Sequence, residues 1–136
     1  MNIKTLLIGL AGGIVVFLTG FLIYGILMME YFSSNIPSYP GLMKDPMEIW
    51  AIAVGNIIWG ITMSYIIQIT GIKSGVKGAL TGALIFFLFS LGMNIVSYSQ
   101  YNLYNLPVSL IDAICMAILG ASSGALIGWL YERTSS

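Results

Sequence analysis

Apolar residues dominate four long stretches of the chain, and short polar or proline-containing segments separate them. Each stretch reaches the roughly 20 apolar residues that a helix needs to cross a bilayer, and no helix-breaking signal interrupts it. The pattern therefore predicts an all-α fold with one membrane domain over residues 1–136. We expect a transmembrane four-helix bundle that runs up-down-up-down. The expected spans cover residues 5–29, 47–70, 76–98 and 107–131.

The connections between the spans differ in length and composition. The first, EYFSSNIPSYPGLMKDP (30–46), holds three of the four prolines and ends at Pro46, which we expect to open the second helix. The second, GIKSG (71–75), is short, so spans two and three are expected to form an antiparallel hairpin. The third, YSQYNLYNL (98–106), is polar and rich in tyrosine, and Pro107 follows it at the start of span four.

Composition supports a membrane protein and narrows its chemistry. Charged residues make up 7% of the chain and hydrophobic ones 58%, whereas a soluble domain carries about 25% charged residues. The zero net charge gives no indication of a nucleic-acid partner. The chain has no histidine, and Cys115 is its single cysteine, which excludes internal disulfides, Cys/His metal sites and His-based triads. We expect no metal, no cofactor and no enzymatic activity.

Basic residues predict the orientation of the spans. Lys4, Lys73, Lys77 and Arg133 fall on one side of the predicted topology, and Lys44 falls on the other. Lysine and arginine accumulate in cytoplasmic loops. The sequence therefore predicts a protein of the cytoplasmic (inner) membrane with both termini on the cytoplasmic side.

Glycines at helical spacing predict where the helices pack, because helices in lipid associate through small residues. The segment GASSGALIG (120–128) forms a glycine zipper on span four, and GLAGG (9–13) and GALTG (78–82) open spans one and three. The last two segments indicate either an internal duplication or the glycine-rich helix starts that membrane proteins often have. The residues expected at helix contacts are Gly120, Gly124, Gly128, Gly78, Gly82, Gly9 and Gly13.

One acidic side chain, Asp112, lies inside an apolar stretch, about five residues from the non-cytoplasmic start of span four. No lysine or arginine lies within a span to pair with it. Three interpretations remain open: a proton- or cation-linked site, a hydrogen bond to Asn94 or Asn56 that ties helices together, or contact with water near the interface. The candidate polar cluster comprises Asp112, Asn94, Asn56, Tyr24 and Glu30.

Four segments carry a resemblance to a known family. They are GFLIYGILMMEYF (20–32), GLMKDPMEIWA (41–51), GNIIWG (55–60), and Asp112 followed by GASSGALIG. Together they resemble a family of small four-span bacterial membrane proteins catalogued as a domain of unknown function. The resemblance extends over nearly the whole chain. It implies a four-helix membrane domain and no catalytic residues.

Two classes of function fit these observations best. The first is a non-enzymatic accessory or structural subunit that packs through its glycine-rich faces. The alternative is a small oligomeric transporter or channel with a polar site near the outer leaflet around Asp112. A membrane enzyme would need a recognisable nucleophile, base or metal set, which the sequence does not offer. The expected partners are membrane lipids and either further copies of the chain or a larger membrane complex.

Overall fold

The computed structural model describes residues 1–135, and this part of the chain is helical without any strand. Four helices are long and apolar enough to cross a membrane, which confirms the expected all-helical class and the number of candidate spans. Ser136, the last residue of the expected domain, lies outside the described residues. The elements are α1 (Ile3–Leu22), a π-helical segment (Ile23–Leu27), α2 (Met29–Asn35), α3 (Ile49–Ile69), α4 (Gly75–Gln100) and α5 (Leu106–Thr134).

Polar side chains begin three of the long helices. Asn2, Ser74 and Asn105 each accept a hydrogen bond from the backbone N–H three residues further on, which satisfies donors that the first turn leaves unpaired. Pro107 lies in the first turn of α5, as the sequence predicts. The prediction for Pro46 is wrong: α3 begins three residues later, at Ile49. A proline fixes its own φ but does not oblige the residues after it to be helical.

The first span is not the uninterrupted α-helix that the sequence predicts. The N–H of Met28 donates to the carbonyl of Ile23 at 2.7 Å, a hydrogen bond over five residues that closes a π-helical turn. The backbone of Met28 then leaves helical geometry, and α2 begins at Met29. The stretch holds no proline, which would interrupt a helix, so its apolar pattern does not reveal the break.

Helices α1 and α3 pack antiparallel with their backbones in contact. A Cβ atom built on Gly9 would lie 2.6 Å from the Cα of Ile61, and one built on Gly13 would lie 2.5 Å from the Cα of Ile57. Real Cβ atoms essentially never approach this closely. Only glycine therefore permits this crossing, the close approach that small residues give to helix pairs in membranes.

Helices α4 and α5 form a second antiparallel pair through glycines on both sides. Gly78 lies against Gly124 and Gly82 against Gly120, and in each case an added Cβ would collide with the carbonyl of the opposite glycine. Gly128 lies in the same way against the carbonyl of Ser74. The glycine stripe of α5 is thus occupied by α4 of the same chain.

Helices α3 and α4 do not pack along their length, although a short turn through Gly71 (φ +70°) joins them. The short connection predicts a hairpin, but the two helices do not pack closely on each other, because Gly60 of α3 faces α1, and Gly78 and Gly82 of α4 face α5. An apolar groove of about 350 Å³ separates the two helices, with Met116 of α5 among its lining residues. The rings of Trp59 and Phe86 meet across it, edge to face, with centroids 5.3 Å apart.

Helix α5 is the most enclosed of the four spans and contacts α1, α3 and α4. The outer surfaces of the bundle are apolar. On α4, for example, Val76, Leu80, Leu84 and Leu88 recur every four residues, and all are exposed. Large apolar side chains on the outside suit a hydrocarbon surrounding and not water.

Candidate polar site around Asp112

The carboxylate of Asp112 connects three helical segments. Its Oδ1 accepts a hydrogen bond from the hydroxyl of Tyr24, in the π-helical segment, at 2.7 Å. Its Oδ2 accepts from Nδ2 of Asn94 at 2.7 Å and from Oγ of Ser90 at 3.0 Å, both on α4. Asp112 itself is half-buried on α5. Both carboxylate oxygens are therefore engaged, by three donors from two other parts of the bundle.

The groups around the carboxylate match it in hydrogen-bonding type. An ionised carboxylate only accepts hydrogen bonds, and tyrosine, serine and amide nitrogen all donate. Asn94 Nδ2 also lies 3.2 Å from the carbonyl of Ser109, so its amide protons serve two acceptors. Hydrogen bonds to a charged acceptor are about twice as strong as neutral ones. The arrangement is thus suited to holding a carboxylate in a place where water is scarce.

The π-helical segment and α2 together hold Tyr24 in place. Its ring packs against Phe32 with centroids 5.3 Å apart, and Phe32, on α2, is buried. Tyr31 packs edge to face against the same phenylalanine. Because the backbone leaves helical geometry at Met28, α2 can place these aromatic rings beside Tyr24. The helix break therefore contributes directly to the site.

Asn56 and Glu30 do not join the cluster. The side chain of Asn56 is half-buried and makes no hydrogen bond to residues 1–135, and its backbone carbonyl lies close to Gly13. Glu30 is exposed in the first turn of α2. The sequence prediction also leaves out Ser90, which lies four residues before Asn94 on one face of α4; this spacing is the signal that could have identified it.

Two further residues near Asp112 have unusual surroundings. Tyr104 lies half-buried in the loop before α5, where burial, and then the nearby charge of Asp112, raise the pKa of its hydroxyl. The hydroxyl of Ser109 is buried and has no hydrogen-bond partner among residues 1–135.

A second polar cluster lies at the end of the bundle where α1 begins and α3 and α5 end. The hydroxyl of Thr5 lies 2.8 Å from Oε1 of Gln68, and Oγ of Ser64 donates to the carbonyl of Thr5 at 2.8 Å. The hydroxyl of Tyr131 lies 3.0 Å from the same serine Oγ. Polar side chains thus tie helices together at both ends of the bundle.

Comparisons with known proteins return no match for the chain. No family model matches the chain, and neither does any curated protein or solved structure. The family resemblance of the sequence therefore stays a prediction, and the contacts around Asp112 carry the functional inference.

Proposed function

We propose that the chain is a small non-enzymatic multi-pass membrane protein that serves as an accessory or structural subunit. Its four spans run up-down-up-down in the inner membrane, with both termini in the cytoplasm. The distribution of basic residues supports this orientation, since Lys4, Lys73, Lys77 and Arg133 lie at helix ends of one end of the bundle and Lys44 lies in the loop at the other.

The hydrogen bonding of Asp112 is the observation that carries this proposal. A charged group within a membrane is expensive unless it finds partners, and Asp112 has three. Each carboxylate oxygen already has a partner on another helix, which favours a structural tie over a site that exchanges ions or protons. The role we assign to Asp112 is to fix α5 between the first span and α4.

The glycine faces have a corresponding role inside the subunit. Those of α4 and α5 contact each other, and those of α1 lie against α3. Contacts with lipid, a second copy or a larger membrane complex would therefore use the other, apolar surfaces of the bundle.

A small oligomeric transporter or channel is the second candidate, and one observation favours it. The tyrosine that binds Asp112 lies in a π-helical segment; such segments are frequent at functional sites. An ionisable residue within a span also often marks an ion or proton pathway.

Asp112→Asn separates the two candidates. The carboxamide offers one acceptor oxygen where the carboxylate offers two, and it turns an NH₂ group toward donors. The subunit proposal therefore expects the free energy of unfolding to fall by about 1–3 kcal/mol, with no proton or cation flux in liposomes for either protein. Tyr24→Phe should cost less, about 0.6 kcal/mol.

Tyr65→Phe is the matched control, because Tyr65 lies exposed on α3 and makes no hydrogen bond to residues 1–135. Thermal unfolding in detergent can be followed by labelling of Cys115, which is buried in the folded protein. Flux through the original protein that Asp112→Asn abolishes without lowering the melting temperature would overturn the subunit proposal in favour of transport.

A further inference from the structure

A small cavity with both polar and apolar lining residues lies at the end of the bundle where α1 begins and α3 and α5 end. Its volume is about 180 Å³, several times the roughly 30 Å³ that one water occupies in the liquid. This is below the 300–1,000 Å³ typical of sites for drug-sized ligands, so it suits a headgroup and not a whole lipid. Its polar and charged lining residues are Asn2, Lys4, Gln68, Lys73, Tyr131 and Ser135.

The two lysines of this cavity differ in how they are held. Lys4 Nζ donates to the carbonyl of Thr134 at 2.9 Å and lies 5.6 Å from the ring centre of Tyr131. One hydrogen bond leaves the ammonium group with two further protons to donate. Lys73 lies just after the tight turn at Gly71 and makes no hydrogen bond or ion pair with residues 1–135. The cavity is therefore bordered by two positive charges. That of Lys4 is held in place by its hydrogen bond, and that of Lys73 has no acidic partner among residues 1–135.

Charge at this end of the molecule is predominantly positive. Four basic side chains and one acidic side chain lie here, giving a formal charge of +3, and the acidic one, Glu132, does not line the cavity. At the other end, Glu30, Asp45 and Glu48 outnumber Lys44, which already pairs with Glu48 at 2.9 Å. The field of the protein thus favours anions at the cavity and not at the opposite end.

We propose that this cavity binds a phosphate group, supplied by the headgroup of an anionic phospholipid or by free phosphate. Lys4 and Lys73 supply the charge, and the amides of Asn2 and Gln68 supply neutral donors at the cavity wall. Basic pockets between helices at the cytoplasmic side of a membrane suit anionic headgroups. The cavity is at the opposite end of the bundle from Asp112, so this site is independent of the role proposed for the Asp112 cluster.

The test uses the purified full-length chain in a neutral detergent, with thermal unfolding followed by Cys115 labelling. Dioleoylphosphatidylglycerol, dioleoylphosphatidylcholine and sodium phosphate are titrated separately at constant ionic strength, and the rise in melting temperature gives an apparent Kd. Phosphatidylglycerol should stabilise the protein more than phosphatidylcholine. Lys73→Gln should weaken that binding about fivefold, as expected for one lysine near an anionic headgroup.

Lys77→Gln is the matched control, since Lys77 is exposed at the same end of the bundle but does not line the cavity. It should leave the apparent Kd unchanged. Stabilisation by phosphatidylglycerol but not by free phosphate would identify the lipid headgroup as the source of the phosphate. Equal stabilisation by free phosphate would show that the cavity binds phosphate from either source. Equal weakening by Lys73→Gln and Lys77→Gln would indicate diffuse surface attraction and overturn the proposal. The proposal would also be overturned if anionic phosphatidylglycerol stabilised the protein no more than zwitterionic phosphatidylcholine and free phosphate no more than chloride.

Discussion

At the scale of single residues, the buried hydroxyl groups show how hydrogen bonding supports this bundle. Among residues 1–135, five serine and threonine hydroxyls are buried, and four of these have a partner on another helix. Ser123, for example, donates to the carbonyl of Gly12 at 3.1 Å. Ser109 is the exception, because its hydroxyl has no partner in this part of the chain. An unsatisfied buried donor costs free energy that a matched one does not.

Ser109→Ala is therefore expected to stabilise the protein, by about 1 kcal/mol, since it removes the unpaired hydroxyl and introduces the best helix former. Ser123→Ala is the matched comparison and should lower stability, because it leaves the carbonyl of Gly12 without that donor. Melting temperatures in detergent measure both effects. Destabilisation by Ser109→Ala would show that the hydroxyl is satisfied in the membrane, for instance by water.

The residues of the Asp112 cluster could be predicted only in part from the sequence. Asp112, Asn94 and Tyr24 lie at similar distances from one end of their spans, and counting residues is enough to bring them to one depth. Asn56 shows the limit of this reasoning, since depth does not tell which helices are neighbours around the bundle. Glu30 fails for another reason: the π-helical turn before α2 changes the direction of the chain.

At the scale of helices, glycines bring together each of the two closely packed pairs, α1 with α3 and α4 with α5. Gly9 and Gly13 bring α1 against α3, and Gly78 and Gly82 bring α4 against α5. The two similar segments, GLAGG (9–13) and GALTG (78–82), thus have the same structural role, because each packs against the next span along the chain. The spacing of the glycines predicted that helices would pack there, but not which helix would be the partner.

Gly82→Ala is expected to destabilise the protein by at least about 1–3 kcal/mol, the usual cost of overpacking, because its methyl group would meet the carbonyl of Gly120. Gly92→Ala is the control on the same helix. Nothing lies within 4 Å of a Cβ at that position, so it should be neutral or stabilising by up to about 1 kcal/mol. Similar effects of both substitutions on the melting temperature would contradict the close packing of α4 on α5.

At the scale of the whole molecule, the two ends of the bundle differ in charge, and this difference leads to a test of topology. On a Cys115→Ser background, Met43→Cys should react with a membrane-impermeant maleimide in intact cells, because Met43 is exposed in the first long loop. Lys77→Cys should react only after the cells are permeabilised. The reverse pattern of labelling would place the termini outside the cytoplasm and contradict the positive-inside prediction.

The groove between α3 and α4 has a mechanical consequence. The two glycine-packed pairs meet mainly along the first span and α5, where Lys4, Ser123 and Tyr24 each make a hydrogen bond across the contact. A rotation of one pair about this line would change the width of the groove without disturbing either glycine contact. Helix α3 also reaches α5 through the bond between Ser64 and Tyr131, near the chain termini. We therefore expect the easiest motion of the bundle to be an opening of the groove at Trp59 and Phe86, with the line of contact between the first span and α5 as its hinge.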